Sequence, residues 1–257
     1  MKSFKHHLAE AIANPSICDL LKLPTAKAFI ERLEISKDLK AYWNALNLWF
    51  DQSGDTKRFM GKIVEMGMCP NKAKWASWSG KGYRGLTKPK EWAKKLKYTG
   101  ETVVKGEYLY LVANGIYQSR YTAQSWTNDF EVAVSFANSD RDIPVVIEIE
   151  LTRENTLFSP ESSGTLGGFG ESEIIRVGNK PTKVKVYVNI GFMIQFFCYR
   201  ILGNGGTKGV PKAEQTSWWT KQFEGLFSQL GDEKFVKDLM ANPKIKAIIK
   251  REAKVSI

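Results

Sequence analysis

Residues 167–177 read GGFGESEIIRV, a glycine-rich run that passes directly into an apolar segment. Ile174, Ile175 and Val177 are β-branched and fit a pleated surface better than a helix, so the composition predicts a strand over this segment. That reading decides the fold class. The run GTLGGFG, 164–170, has glycines spaced somewhat like a dinucleotide-binding loop, but such a loop must open a helix whose N-terminus holds the phosphates. A strand follows instead, so the glycines read as loop flexibility. The stretch also sets Glu171 and Glu173 at i and i+2, positions that share one face of a strand and couple their ionisation. They are either two solvated edge residues or a working acid/base pair.

On both sides the chain stays strand-rich. Downstream, TKVKVYVNI (182–190) alternates Val184, Val186, Val188 and Ile190 with other residues, the period of a strand. Upstream, IPVVIEIEL (143–151), EYLYLVANGIYQ (107–118) and SRYTAQSWT (119–127) also read as strands, interrupted by a short helix in DFEVAVSFAN (129–138) with Phe130, Val134 and Ala137 at helical spacing. WSGKGYRGLTKP (78–89) reads as loops around a short strand, KEWAKKLKYTG (90–100) as a basic helix or turn, and residues 152–170 as a long loop. Such loops inside compact domains are more often functional than decorative.

The ends are helical in pattern. Phe4, Leu8 and Ile12 recur after Ser3 and stop at Pro15; Phe29, Leu33, Leu39, Trp43, Leu46, Trp49 and Phe50 give a broad apolar face; Phe59, Ile63 and Met66 give another. These aromatics read as core packing between helices. After about 205, Trp218, Trp219, Phe223 and Phe227 mark a helix, and KFVKDLMANPKIKAIIKREAK (234–254) a basic helical end. Strands grouped between helices argue for an α+β fold with a predominantly antiparallel core rather than βαβ units. The expected organisation is a helical region 1–75 packed on a core 76–204, with a basic helical segment 205–257, forming one compact unit.

Composition narrows the chemistry. Lys and Arg number 38 against 27 Asp and Glu, a formal charge of +11 over 257 residues, which favours anionic partners. No apolar run approaches the roughly 20 residues that span a bilayer. Glu10, Asn14, Pro15 and Asp19 interrupt the N-terminal apolar residues, so neither a secretory signal nor a membrane partner is expected, and a cytoplasmic site of action is. Cys18, Cys69 and Cys198 are odd in number and lack CxxC spacing, so they read as buried thiols rather than a disulfide framework or zinc site. The only histidines are His6 and His7, which leaves little room for a His-based triad or metal centre. The chemistry is expected to use carboxylates, arginine, lysine and hydroxyls, with no metal.

Three segments carry such groups: GYRG (82–85), QSWTNDFEVAVSFA (124–137) and GESEIIRV (170–177). Taken in order over roughly residues 80–190, they resemble the R-S-E pattern of the mono-ADP-ribosyltransferase family of toxins, phage enzymes and ectoenzymes. The resemblance implies a mostly antiparallel two-sheet core that uses NAD as substrate. It implies that Arg84, after Tyr83 and before Gly85, holds an NAD phosphate, suited to a planar bidentate donor. Ser125 and Thr127 match the outer hydroxyls of the family's S-T-S strand, while Trp126 replaces the small middle residue. Phe136, in the Phe-Ala that closes the following helix, completes the cofactor-binding set. Glu173 matches the second glutamate of E-x-E and, with Ser125, the catalytic group; Glu171 matches the first.

The implied chemistry suits a histidine-poor chain. Breaking the nicotinamide–ribose bond builds oxocarbenium character, and a carboxylate on the ribose 2'-hydroxyl strengthens its bond as that charge grows. Nicotinamide leaves as a neutral amine, so no general acid is needed. In the family an E-x-E first glutamate marks arginine acceptors, which would give Glu171 the task of holding and deprotonating a guanidinium, with Phe169 packing against the acceptor or only anchoring the loop. A nucleic-acid base is the alternative acceptor, and a noncatalytic nucleic-acid-binding protein using 88–97 and 234–254 the alternative of another class. An inhibitor or antitoxin protein is a further expected partner. A glycosidase is disfavoured, because carboxylates at i and i+2 do not bracket a sugar ring.

Overall fold

The computed structural model describes residues 15–50, 56–137, 142–166 and 173–254. The helix expected at Phe4–Ile12, and the loop residues Phe169 and Glu171, lie outside them. Among the described residues the chain is α+β, with eleven α-helices and eight strands, and the strands are hydrogen-bonded into one sheet rather than the two that the resemblance implies. The strand pairs with recorded register are antiparallel. No described helix is long and apolar enough to cross a membrane. Backbone contacts divide the chain into two units, 1–83 with 117–130 and 149–182, and 84–116 with 131–148 and 183–257. Strands β1 (Gly80–Lys88) and β5 (Ile143–Leu151) contribute residues to both.

Among the described residues, the N-terminal part of the first unit holds four helices: α1 (Ile17–Leu20), α2 (Ala26–Ile35), α3 (Lys40–Phe50) and α4 (Thr56–Gly67). Ser16 and Asp19 form a reciprocal capping box on α1, and the Thr25 hydroxyl caps α2 by accepting from the Ala28 amide. The single apolar face read over 28–50 is two helices, because Ser36 turns extended and ends α2. Phe59, Ile63 and Met66 are buried along one stripe of α4, as their spacing predicts.

These helices cover β4 (Ala123–Thr127), β6 (Thr156–Leu157) and β7 (Glu173–Val177), whose Ala123, Leu157, Ile175 and Val177 complete their apolar core. The strand order is β1-β4-β7-β6. A Cβ at Gly67 would overlap the Val177 side chain, so the glycine lets α4 lie close on β7.

Two expectations are corrected here. Residues 152–166 are not structureless: a 3₁₀ turn, β6 and the one-turn helix α7 (Pro160–Ser163) occupy them, and Leu157 and Phe158 are fully buried, the Phe158 ring stacked on Trp75 at 6.1 Å. Cys18 and Cys69 are not thiols but a disulfide, with Cα atoms 5.3 Å apart and a separation of 51 positions in sequence. Motif spacing does not reveal the pair, because the packing of α1 beside the end of α4 is what brings the two together.

In the second unit the order is β2-β3-β8-β5, with β2 at Lys97–Lys105, β3 at Tyr108–Tyr117 and β8 at Thr182–Asn189. The segment read as a basic helix or turn is one helical turn, α5 (Lys90–Ala93), followed by the start of β2. Helix α6 (Phe130–Ala137) forms as its spacing predicts. The helical end begins earlier than expected: α8 (Ile190–Gly203) starts directly after β8, where the Asn189 side chain accepts from the Phe192 amide. Alternation through Val188 masks that switch of period. Helices α9 (Gln215–Phe227), α10 (Glu233–Ala241) and α11 (Pro243–Ala253) follow, with α11 packed on α8 and α10. Cys198 is a buried free thiol, its pKa pushed up to about 12 by burial.

Candidate active site

Strand register assembles the first part of the site. Tyr83 of β1 lies opposite Thr127 of β4, and Thr127 lies opposite Glu173 of β7. Directly opposed residues share a face with Cβ atoms about 5 Å apart, so Tyr83, Thr127 and Glu173 form one row across three adjacent strands. Ser125, paired with Ile175 two residues along, is on the same face and exposed. Trp126 takes the opposite face. It is buried there with the Tyr117 ring at 6.0 Å and the Arg176 guanidinium 5.9 Å from its centroid. The substitution for a small residue between Ser125 and Thr127 therefore leaves the Glu173 face unobstructed.

Each member has a structural partner. The Tyr83 ring meets Phe130, the first residue of α6, edge to face at 5.4 Å. The Thr127 hydroxyl accepts from the Asp129 amide at 3.0 Å and so starts the turn into α6. Glu173, half-buried at the start of β7, accepts a hydrogen bond from the indole Nε1 of Trp49 at 2.9 Å. Trp49 sits on α3 between the buried Leu46 and Phe50, is itself half-buried, and meets Phe59 edge to face at 6.4 Å. Sequence reasoning assigned it to the core. Nothing in helical spacing separates an indole that only packs from one whose N–H reaches a carboxylate, and the pairing spans 124 residues.

Arg84 is outside the row. As the neighbour of Tyr83 in β1 it takes the other side of that strand, the side on which Lys88 also falls. Lys88 lies over the Trp92 ring at 5.5 Å, and its pKa is lowered first by burial and then by the charge of Arg84. The charge of Arg84 thus disfavours the protonated form of Lys88, and the two cations lie near one another. Gly85 has a packing role, since a Cβ there would overlap the Ala133 carbonyl oxygen of α6. Phe136 is exposed on α6.

The structure thus brings Tyr83, Thr127 and Glu173 together with Ser125 close by, adds Trp49 to them, and puts Arg84 with Lys88. Glu171 and Phe169 lie outside the described residues. No known protein-family model matches the chain, and no curated protein or solved structure matches it.

Proposed function

We propose that the protein is a mono-ADP-ribosyltransferase that cleaves NAD at the nicotinamide–ribose bond and transfers ADP-ribose to a macromolecule. The observation that carries this reading is the single row formed by Tyr83, Thr127 and Glu173 on adjacent strands, drawn from the three segments that resemble the R-S-E pattern. The two-sheet core that the resemblance implies is not seen as two sheets: the eight strands follow one hydrogen-bonded order, β2-β3-β8-β5-β1-β4-β7-β6, so the reading rests on the row and not on the sheet count. In this reading Glu173 holds the ribose 2'-hydroxyl, and its bond to the Trp49 indole helps to fix the carboxylate. The resemblance assigns the diphosphate to Arg84, which the strand alternation does not bring into the row; Tyr83 and Phe130 give the nicotinamide an aromatic neighbour.

The bond between ribose C1' and the nicotinamide nitrogen breaks, and its electron pair returns to the ring as neutral nicotinamide. An acceptor nitrogen then bonds C1' and loses its proton to Glu171. The preferred acceptor is a protein arginine, from the E-x-E pattern; a nucleic-acid base is the second. The proposed place of action is the cytoplasm of the producing or target cell, although a disulfide is a bond that oxidising surroundings preserve.

Incubation with labelled NAD and cell lysate, followed by protease or nuclease, tests both levels. Transfer of label with release by protease is expected. Release by nuclease alone would move the acceptor to nucleic acid, and absence of NAD cleavage by the folded protein would refute the transferase. Glu171→Gln is expected to spare NAD hydrolysis while suppressing transfer to arginine, and equal loss of the two activities would remove the proposed division of labour.

A further inference from the structure

A second surface feature belongs wholly to the second unit. A groove of about 680 Å³ is lined by Lys95, Lys97, Lys183 and Lys185, with Trp92 and Ile116 among its walls. The strand order explains it. Lys97 opens β2, Lys183 and Lys185 lie on β8, and β3 runs between those strands with Asn114, Gly115 and Ile116 in the lining. Lys97 is the cross-strand partner of Asn114. Ile116 is 64% exposed and so presents apolar surface beside these charges. A Cβ at Gly115 would press on Leu96, 2.7 Å away, so the glycine lets Leu96 pack close on β3.

The charges are not neutralised internally. No carboxylate lines the groove. Among the described residues none of the four lysines forms an ion pair, and only Lys185 has an aromatic contact, with Tyr187 at 5.3 Å. The carboxylate opposite Lys185 in the β5–β8 ladder, Glu148, accepts from the Tyr187 hydroxyl instead. Four like charges around apolar walls repel each other until an anion arrives. Lysine stems can line such walls while their ammonium groups remain in water, so the groove offers cations at its rim and aromatic and aliphatic surface inside.

We infer that this groove binds single-stranded nucleic acid, with backbone phosphates on Lys95, Lys97, Lys183 and Lys185 and a base against Trp92 and Ile116. The volume is within the range of small-ligand sites, a few hundred to about 1,000 Å³, and accommodates a nucleotide and part of the next. An acidic peptide would use the lysines but leave the aromatic and aliphatic walls without a planar partner, whereas every base has a face to stack. The inference does not rest on the transferase reading, since binding needs no NAD.

The test is fluorescence anisotropy with a labelled single-stranded oligonucleotide, without NAD. Neutralising four phosphates on a single strand gives a slope of about −2.8 in log affinity against log salt, or about a fifty-fold loss between 50 and 200 mM. A quadruple Lys→Ser variant at 95, 97, 183 and 185 is expected to bind at least tenfold more weakly and to lose most of that slope. A control variant with Lys→Ser at 234, 244, 246 and 250 is expected to change affinity less than threefold. Trp92→Ala should weaken binding several-fold with the slope unchanged. All these lysines but the half-buried Lys185 are exposed, so circular dichroism is expected to report unchanged folding. Equal losses in the two lysine variants would reduce the effect to net charge and overturn the site. So would failure of the native protein to bind, or displacement of the oligonucleotide by polyglutamate at equal charge.

Discussion

The row at β1, β4 and β7 and the groove at β2, β3 and β8 use polar residues in opposite ways. In the row a carboxylate is walled by α3 and held by one indole N–H, so its effect depends on the placement of single atoms. In the groove four lysines, three of them exposed and Lys185 half-buried, form no ion pair among the described residues, so their effect depends on how many charges are present. A site of the first kind fails abruptly when one group changes, because a preorganised charge in a shielded place has no substitute. A site of the second kind weakens by steps and is sensitive to salt.

The largest expected effect is therefore at Glu173. Glu173→Gln keeps the size of the side chain and an oxygen able to accept from Trp49, so it removes charge and little else. NAD cleavage should fall by about 10²–10³-fold, the range seen when a key electrostatic group is lost, while oligonucleotide binding stays as it was. Turnover like that of the native protein would remove Glu173 from the chemistry.

The next effect concerns stability of the first unit. Closing a loop between Cys18 and Cys69, 51 residues apart, is worth about 4 kcal/mol in the chain-entropy account and typically about 2–4 kcal/mol when measured. Cys18→Ser is expected to lower unfolding stability by that amount in urea titration. The loss should appear first as heat sensitivity of NAD cleavage, with the groove's oligonucleotide affinity unchanged at low temperature. Identical urea midpoints for the native and Cys18→Ser proteins would mean that the bridge constrains nothing.

How far the sequence revealed these regions follows the range of the forces involved. Alternation and helical stripes are local, so α4, α6, β5 and most of β8 were legible from Phe59, Ile63 and Met66, from Phe130, Val134 and Ala137, and from the β-branched runs. The strand at 97–105 was not, because KYTGETVVK carries a glycine and several charges and is largely exposed, with little apolar alternation to read. The start of α8 was hidden because Ile190 continues the period of β8, and only the Asn189 cap ends it. The Cys18–Cys69 bond and the Trp49–Glu173 bond join residues far apart in sequence, and each depends on where α1, α3 and α4 lie on the sheet. The order Tyr83, Ser125, Thr127, Glu173 was legible as a pattern, but the register that aligns three of them was not.

Trp49 gives the smallest expected effect and the sharpest test of the contrast. If the row works by exact placement, removing one hydrogen bond should matter even with the carboxylate intact. A hydrogen bond to a charged group contributes about 1.5–3 kcal/mol, and about 1.4 kcal/mol is a factor of ten in rate. Trp49→Phe keeps an aromatic ring against Phe59 and removes the donor, so kcat for NAD cleavage should fall about tenfold with KM for NAD within about twofold. A purely structural role would instead lower the melting temperature and leave kcat per folded molecule unchanged. An unchanged kcat would make the Trp49 contact incidental, and the row would then owe its function to charge alone, as the groove does.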